Sequence, residues 1–380
     1  MLHTQAMQAA FHANFNRKAE FVVRAPGRVN LIGEHTDYNE GYVLPMAIDR
    51  AAWIALAPRG DGMVRIRSQD RDETVSFDLE ALGRGTGWAE YIKGMAHELR
   101  VAGKHLRGWD GILAGDVPIG AGLSSSAAVE LAAGRAFAAA SGLNWAPAEM
   151  AALAQRAESQ WVGVNCGIMD QMVSAAAEAG HALFLDCRSL DYQHVPIPAT
   201  LAVVVLDTST RRGLVDSAYN ERRSQCENAA RHFKVRALRD LSLSALESEK
   251  ADLPETVYRR ARHVLSENQR VLRAVEALRA DNPAGLGQTL NEGHASLRDD
   301  FEVSGPALDH MVQAAQAQPG CYGARMTGAG FGGCALALVE QNAVEQFVPA
   351  VAQAYKSKTG LDGQMYVCRA SEGASLEYAA

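Results

Sequence analysis

The stretch RAPGRVNLIGEHTDYNEGYVLP, residues 24–45, constrains the fold of this chain more than any other. It sets Arg28, Glu34, His35 and Asp37 among glycines and between two apolar runs, residues 29–32 and 42–45. Burying even an uncharged polar group without a partner costs about 2–7 kcal/mol. The fold must therefore draw both apolar runs inward while giving the charged groups partners or a ligand. Such a stretch suits a loop that holds a polar ligand.

The rest of the chain must supply the core behind that loop. At 380 residues, 48% of them hydrophobic, it is long enough to bury one and to form about two domains. A net charge of −7 argues against a general nucleic-acid partner, which needs a basic patch. The six cysteines, at 166, 187, 226, 321, 334 and 368, form no CxxC pair, so neither a disulfide framework nor a zinc ribbon is expected. Cys334 and Cys368 read as small core residues. Residues 1–15 have no cationic start and no apolar stretch of signal-peptide type. The aliphatic run at 201–206 is far too short to span a bilayer. A cytoplasmic protein without a membrane partner, and a monomer, is expected.

Patterning along the chain predicts mixed elements. Residues 1–19 read as a short helix, and 20–77 as strand-rich, with strands at 51–58, 64–68 and 74–79. A helix is predicted over 88–102 and a strand over 108–118. The alanine-rich run from Ser124 begins with serines that suit an N-cap and stops at Gly142, a good C′ residue. Pro147 suits the first turn of a helix running to about Trp161. Further strands are predicted at 181–190 and 201–207, and helices at 217–233, 253–279 and 306–318. Without regular βαβ alternation the class is α+β, with a soft boundary near residue 197.

Two glycine-rich segments can carry chemistry. In GDVPIGAGLSSSAAVE, residues 115–130, Gly120, Ala121, Gly122 and Leu123 lead into Ser124, Ser125 and Ser126 and then a helix. A helix N-terminus offers unpaired N–H groups and about half a positive charge to an anion. Serine hydroxyls can bind phosphate or a hydrated Mg²⁺. A plain glycine turn with a serine cap fits the same letters, and no Walker-type Gly-Lys-[Ser/Thr] occurs here. The second segment, MTGAGFGGCALALV (326–339), reads as close backbone approach to a ligand or as a simple hairpin.

Asp170 is the one carboxylate in CGIMDQMVSAA (166–176), either a helix cap or a functional group. Burial would raise its pKa unless a cation such as Arg28 offsets that. Glu158, late in its helix, is a solvated surface group or a metal ligand opposite a serine. Tyr219 lies on a polar helix, where packing is the simpler role. Arg211, Arg212, Arg222 and Arg223 around it read as a solvated face.

Taken together, GRVNLIGEHTDYN (27–39), VPIGAGLSSSAA (117–128), CGIMDQ (166–171), SAYNERR (217–223) and RMTGAGFGG (325–333) resemble the GHMP small-molecule kinases, and among them the galactokinases. The resemblance implies a two-lobed fold. A mixed-sheet N-terminal lobe, 1–197, would carry the sugar motif and phosphate loop. An antiparallel-sheet and helical lobe, 198–380, would carry the second glycine loop, with the site in the cleft between them. It implies transfer of the ATP γ-phosphoryl group to the anomeric hydroxyl of D-galactose, with Mg²⁺ as cofactor and only small molecules as partners. Asp170 matches the catalytic aspartate and Arg28 its arginine partner. Glu34, His35, Thr36, Asp37, Gly167 and Tyr219 match the sugar side. Residues 120–126, with Ser68 and Trp88, match the nucleotide side, and Ser126 and Glu158 the Mg²⁺ ligands. A sister sugar-1-kinase acting on N-acetylgalactosamine or arabinose, or a non-catalytic galactose sensor, is the alternative.

Overall fold

Strand β1 (Phe21–Asn30) carries Arg28 and lies second from one edge of the six-stranded main sheet. It follows helix α1 (Thr4–Phe15). The chain continues through β2 (Tyr42–Val43), β3 (Pro45–Pro58), β4 (Met63–Ser68) and β5 (Glu73–Asp78). Next come α2 (Ala89–Val101), β6 (Trp109–Gly115), α3 (Ser125–Ser141), α4 (Pro147–Arg156), α5 (Met169–Ala176), β7 (His181–Asp186) and β8 (Tyr192–Pro196). The remainder is β9 (Leu201–Asp207), α6 (Val215–His232), α7 (Leu243–Ser248), α8 (Glu255–Arg279), α9 (Pro283–Asp299), α10 (Pro306–Gln316), β10 (Cys321–Thr327), β11 (Cys334–Glu340), α11 (Val344–Thr359), β12 (Gln364–Cys368) and β13 (Ser375–Ala379). This computed structural model describes residues 3–210 and 215–380, the side chains at 215 and 216 excepted.

The strands form three sheets. A mixed sheet has the order β13-β1-β3-β6-β4-β5, its one parallel pairing between β4 and β6. A second sheet, β10-β11-β9-β12, is antiparallel throughout. The small third sheet is β2-β7-β8. Helices α3 and α5 pack on β1 and β3 and give that sheet its buried face. This is the α+β class expected, a mixed sheet followed by an antiparallel one. The chain passes from β8 to β9 over residues 197–200, and the largest apolar cluster holds residues from both sides of that passage, Leu185 and Leu286 among them.

Cys334 and Cys368 are buried as expected. Among the described residues, no helix is long and apolar enough to cross a membrane.

The predicted elements appear with small shifts. The helix from Pro147 ends at Arg156, and residues 157–162 wind on as a π-helical turn. Helix α9 has no counterpart among the predicted elements. Gly285, Gly287 and Gly293 lower its intrinsic helix propensity. One of them is there for packing, because a Cβ at Gly287 would lie 2.1 Å from the Tyr322 carbonyl oxygen on β10. Overpacking at such a contact typically costs about 1–3 kcal/mol. Gly287→Ala should lower the unfolding free energy by about that amount in urea titration; an unchanged midpoint would refute the close approach.

Candidate active site

Arg28 leaves β1 where the register with β3 shifts, between Pro26 and Arg28. An irregularity of this kind re-aims the side chain that follows it. The guanidinium is buried and makes two parallel bonds to Asp170, Nε to Oδ1 at 2.7 Å and Nη2 to Oδ2 at 2.8 Å. Its Nη1 donates to the Gly122 carbonyl at 2.5 Å, and its backbone N–H donates to the Leu123 carbonyl at 3.0 Å. One residue thus ties the strand, the first glycine loop and helix α5 together.

Asp170 is not the cap of α5. Ile168 holds that position, and Asp170 sits in the first turn with its carboxylate turned to Arg28. The expectation for Ser124 also changes. Its backbone is left-handed, and its hydroxyl, rather than capping α3, donates to Asp170 Oδ2.

Asp37 faces the same point. Its Oδ1 accepts the Tyr38 N–H at 2.9 Å. A Cβ at Gly167 would lie 1.7 Å from its Oδ2, so the absence of a side chain at 167 makes room for this carboxylate. Burial, reinforced by the nearby Asp170 charge, pushes Asp37 up to about 6.

Glu34 is fully buried and tied into a network of charges. Its Oε2 lies 2.5 Å from Arg325 Nη2, and its Oε1 accepts the Thr327 hydroxyl and the Gly328 N–H, both at 3.1 Å. Arg325 also lies 3.2 Å from Glu267, which pairs with Arg270 at 2.6 Å. Burial drives Glu34 upward against the pull of Arg325. Burial acts on Glu267 too, but Arg270 and Arg325 outweigh it and bring that carboxyl to about 2.

His35 has a left-handed backbone, and both of its ring nitrogens are engaged by the protein. A carbonyl can only accept, so Nε2–H donates to the Ala329 carbonyl at 3.2 Å. Nδ1 then accepts from the Tyr38 hydroxyl at 2.9 Å. Burial holds the ring neutral, pushing it down to about 3. Its ring packs beside Tyr219, centroids 5.6 Å apart.

Two cavities open beside these residues and the serine loop. The first, about 250 Å³, is walled by Arg28, Glu34, His35, Asp37, Glu158, Gly167, Asp170 and Tyr219, together with Asn165, Asn220 and Gly328. The second, about 750 Å³, is walled by Ser68, Trp88, Ser125 and Ser126 among others. Ser126 lines the larger cavity and Glu158 the smaller, and the Ser126 hydroxyl favours the charged form of Glu158 against the burial that raises its pKa. Glu158 is buried on the π-helical turn and is not the solvated group that its late helical position allowed.

Several expected residues act from behind the walls. Thr36 is fully buried and bonds the Gly33 and Tyr42 carbonyls, which fastens the loop. Residues 120–124 line neither cavity. Instead the two glycine loops abut, for a Cβ at Gly328 would lie 3.3 Å from the Gly122 carbonyl oxygen. Arg222 departs from the solvated face predicted for it; it is buried and donates to the Phe301 and Glu302 carbonyls. Arg211 and Arg212 lie outside the described residues. Sequence reasoning missed Arg325, Glu267, Glu130 and Gln171. Arg325 stood in a quoted glycine-loop motif, where a cation between apolar strand residues was the available signal.

The sequence and fold comparisons bear on the family and the fold. The chain matches the family models described as the GHMP kinases N terminal domain over residues 90–178 and the GHMP kinases C terminal over residues 274–357. A mevalonate kinase from Methanococcus jannaschii shares the fold at 18% identity and a TM-score of 0.68, covering 94% of this chain and all of that one. The fold and these matches define a GHMP-type small-molecule kinase. More narrowly, residues 9–58 match the galactokinase galactose-binding signature. A galactokinase of Roseiflexus sp. (strain RS-1) is 48% identical, covering 98% of this chain and 97% of the relative; one from Chloroflexus aggregans is 47% identical, covering 100% and 99%. The crystal structure of Lactococcus lactis galactokinase complexed with galactose superposes with a TM-score of 0.93 at 37% identity, over 97% of this chain and 98% of that one. The chain belongs to the galactokinase family.

Two outcomes follow from the Asp37 geometry. Gly167→Ala should displace the Asp37 carboxylate and raise the sugar KM at least tenfold with little change in Tm; an unaltered KM would remove Asp37 from the sugar site. Asp37 binds its proton more tightly folded than unfolded, so the native state loses stability as pH rises from about 4 through about 6. Asp37→Asn should therefore raise the Tm at pH 7 and lose that advantage by pH 4. Thermal scans across this range check the sign.

Proposed function

We propose that Asp170, oriented by Arg28, accepts the proton of the anomeric hydroxyl of D-galactose while the γ-phosphoryl group of ATP is transferred to that oxygen. The products are α-D-galactose 1-phosphate and ADP. The observation that carries this reading is the bidentate Arg28–Asp170 pair in the wall of the small polar cavity. Family membership supports the reaction, and the first cavity has the polar lining that a sugar requires.

Phosphoryl transfer depends chiefly on positioning and charge stabilisation. A sugar hydroxyl is a weak nucleophile, so a carboxylate within hydrogen-bond reach assists as the O–P bond forms. Arg28 lies beside Asp170 and faces the transferred group with the rest of its positive charge. The first turn of α3, at Ser125 and Ser126, opens on the larger cavity with unpaired N–H groups for phosphate oxygens. On the sugar side, Asp37 and Glu34 offer carboxylates. His35 orders Tyr38 and the Ala329 carbonyl rather than reaching for the sugar itself.

The residues fit a magnesium ion. Ser126, lining the larger cavity, and Glu158, lining the smaller, present hard oxygen donors, and the carboxylates of Glu158, Glu130 and Asp170 repel one another. Ser126 and Glu158 would hold the ion, which supplies positive charge against the phosphates. We place the enzyme in the cytoplasm as a monomer acting on small molecules.

Asp170→Asn should reduce kcat by at least a thousandfold while the galactose Kd, measured by calorimetry, stays within about threefold. Substantial turnover in a folded variant would remove the proton-acceptor role. The sugar assignment is tested by ADP release against galactose, glucose, N-acetylgalactosamine and arabinose. Preference for either of the last two would select a sister sugar-1-kinase.

A further inference from the structure

Glu130 has no role in the steps above, yet it is a carboxylate with no exposed surface. It lies on α3, four residues beyond Ser126 and so on the same helical face. Its Oε2 is 3.3 Å from Gln171 Nε2. The same amide nitrogen donates to Glu158 Oε2 at 2.6 Å. Gln171 follows Asp170 on α5 and is itself fully buried. Among the described residues, Glu130 Oε1 and Gln171 Oε1 have no hydrogen-bond partner.

A carboxamide NH₂ has two hydrogens, and here each has one carboxylate in reach. We propose that Glu130 and Gln171 are positioning residues for the metal: Glu130 anchors the Gln171 amide, which holds Glu158 in the orientation that binds a divalent cation. This rests on the assignment of Glu158 as a metal ligand.

Three observations support it beyond the presence of acids. The bond from Gln171 to Glu158 is short and leaves Glu158 Oε1 for other partners. The orphaned Glu130 oxygen is a cost that a purely structural residue would avoid, since a buried unsatisfied acceptor is destabilising. Finally, Gln171 on α5 ties Glu158, on the π-helical turn, to Glu130 on α3, bracing that turn against the helix that opens on the nucleotide cavity. Groups that orient metal ligands typically affect metal affinity by about 10–100-fold.

The test uses Mn²⁺ as probe, with free ion counted by electron paramagnetic resonance in the presence of a non-hydrolysable ATP analogue. Gln171→Leu and Glu130→Leu should each weaken Mn²⁺ binding at least tenfold while galactose affinity stays within about threefold. Glu130→Gln, which keeps an acceptor oxygen for the Gln171 amide, should stay within about threefold of the parent. Glu158→Ala is the control. If it binds Mn²⁺ as the parent does, the metal assignment of Glu158 itself fails. If it loses Mn²⁺ and Gln171→Leu does not, the positioning role fails alone. Mn²⁺ and galactose affinities falling together would also overturn it, marking the pair as fold residues only. Should Glu130→Leu not fold, Gln171→Leu decides.

Discussion

A single guanidinium organises the site. Arg28 is held by a carboxylate on α5, by two carbonyls of the first glycine loop and by its own place in the central sheet. Charge-assisted, bidentate bonds of this type are stronger than neutral ones and fix geometry in a plane. Once that plane is set, the remaining carboxylates have defined places. Asp37 lies close enough to Asp170 to be felt electrostatically, and Ser124 is recruited to Asp170 instead of to its helix.

The buried charges around Glu34 follow a different logic. Arg325 has no exposed surface and stands between Glu34 and Glu267, with Arg270 beyond. A buried ion pair is weak evidence of stability, because desolvation offsets much of its attraction. Its value here is location. Glu34 comes from the polar loop, Arg325 from β10 and Glu267 from α8, so the pairing fastens that loop to elements hundreds of residues downstream. The polar loop is therefore preorganised by the antiparallel sheet although it continues from a strand of the mixed one.

Much of this was legible in the sequence because the relevant signals are local. The polar stretch at 24–45, the serine loop and Asp170 all stood out through residues too polar for their neighbours. Strand and helix patterns located about half of the elements within a few residues. Legibility failed where the cause was tertiary. Helix α9 hid because Gly287 serves a contact with β10 rather than helix propensity. Ser124 was expected to cap and instead serves a carboxylate 46 residues away in sequence. Arg222 appeared to belong to a solvated face, yet the carbonyls that bury it lie about 80 positions on. Glu130 and Gln171, inside alanine- and methionine-rich helices, carry no local mark of their partnership.

One feature of the topology bears on how the chain is made. Strand β13 completes the mixed sheet beside β1, pairing Phe21 with Ala379 and Arg24 with Ser375. During synthesis the edge of β1 therefore waits, unpaired, for nearly the whole chain to emerge. Open strand edges invite pairing with other chains, and late long-range closure slows folding. The sheet that bears Arg28 is the last to be sealed, so a nascent chain passes through a stage in which its most committed sheet is also its stickiest. Capture by a chaperone at β1, or misassembly between two unfinished copies, is the hazard that this closing strand removes.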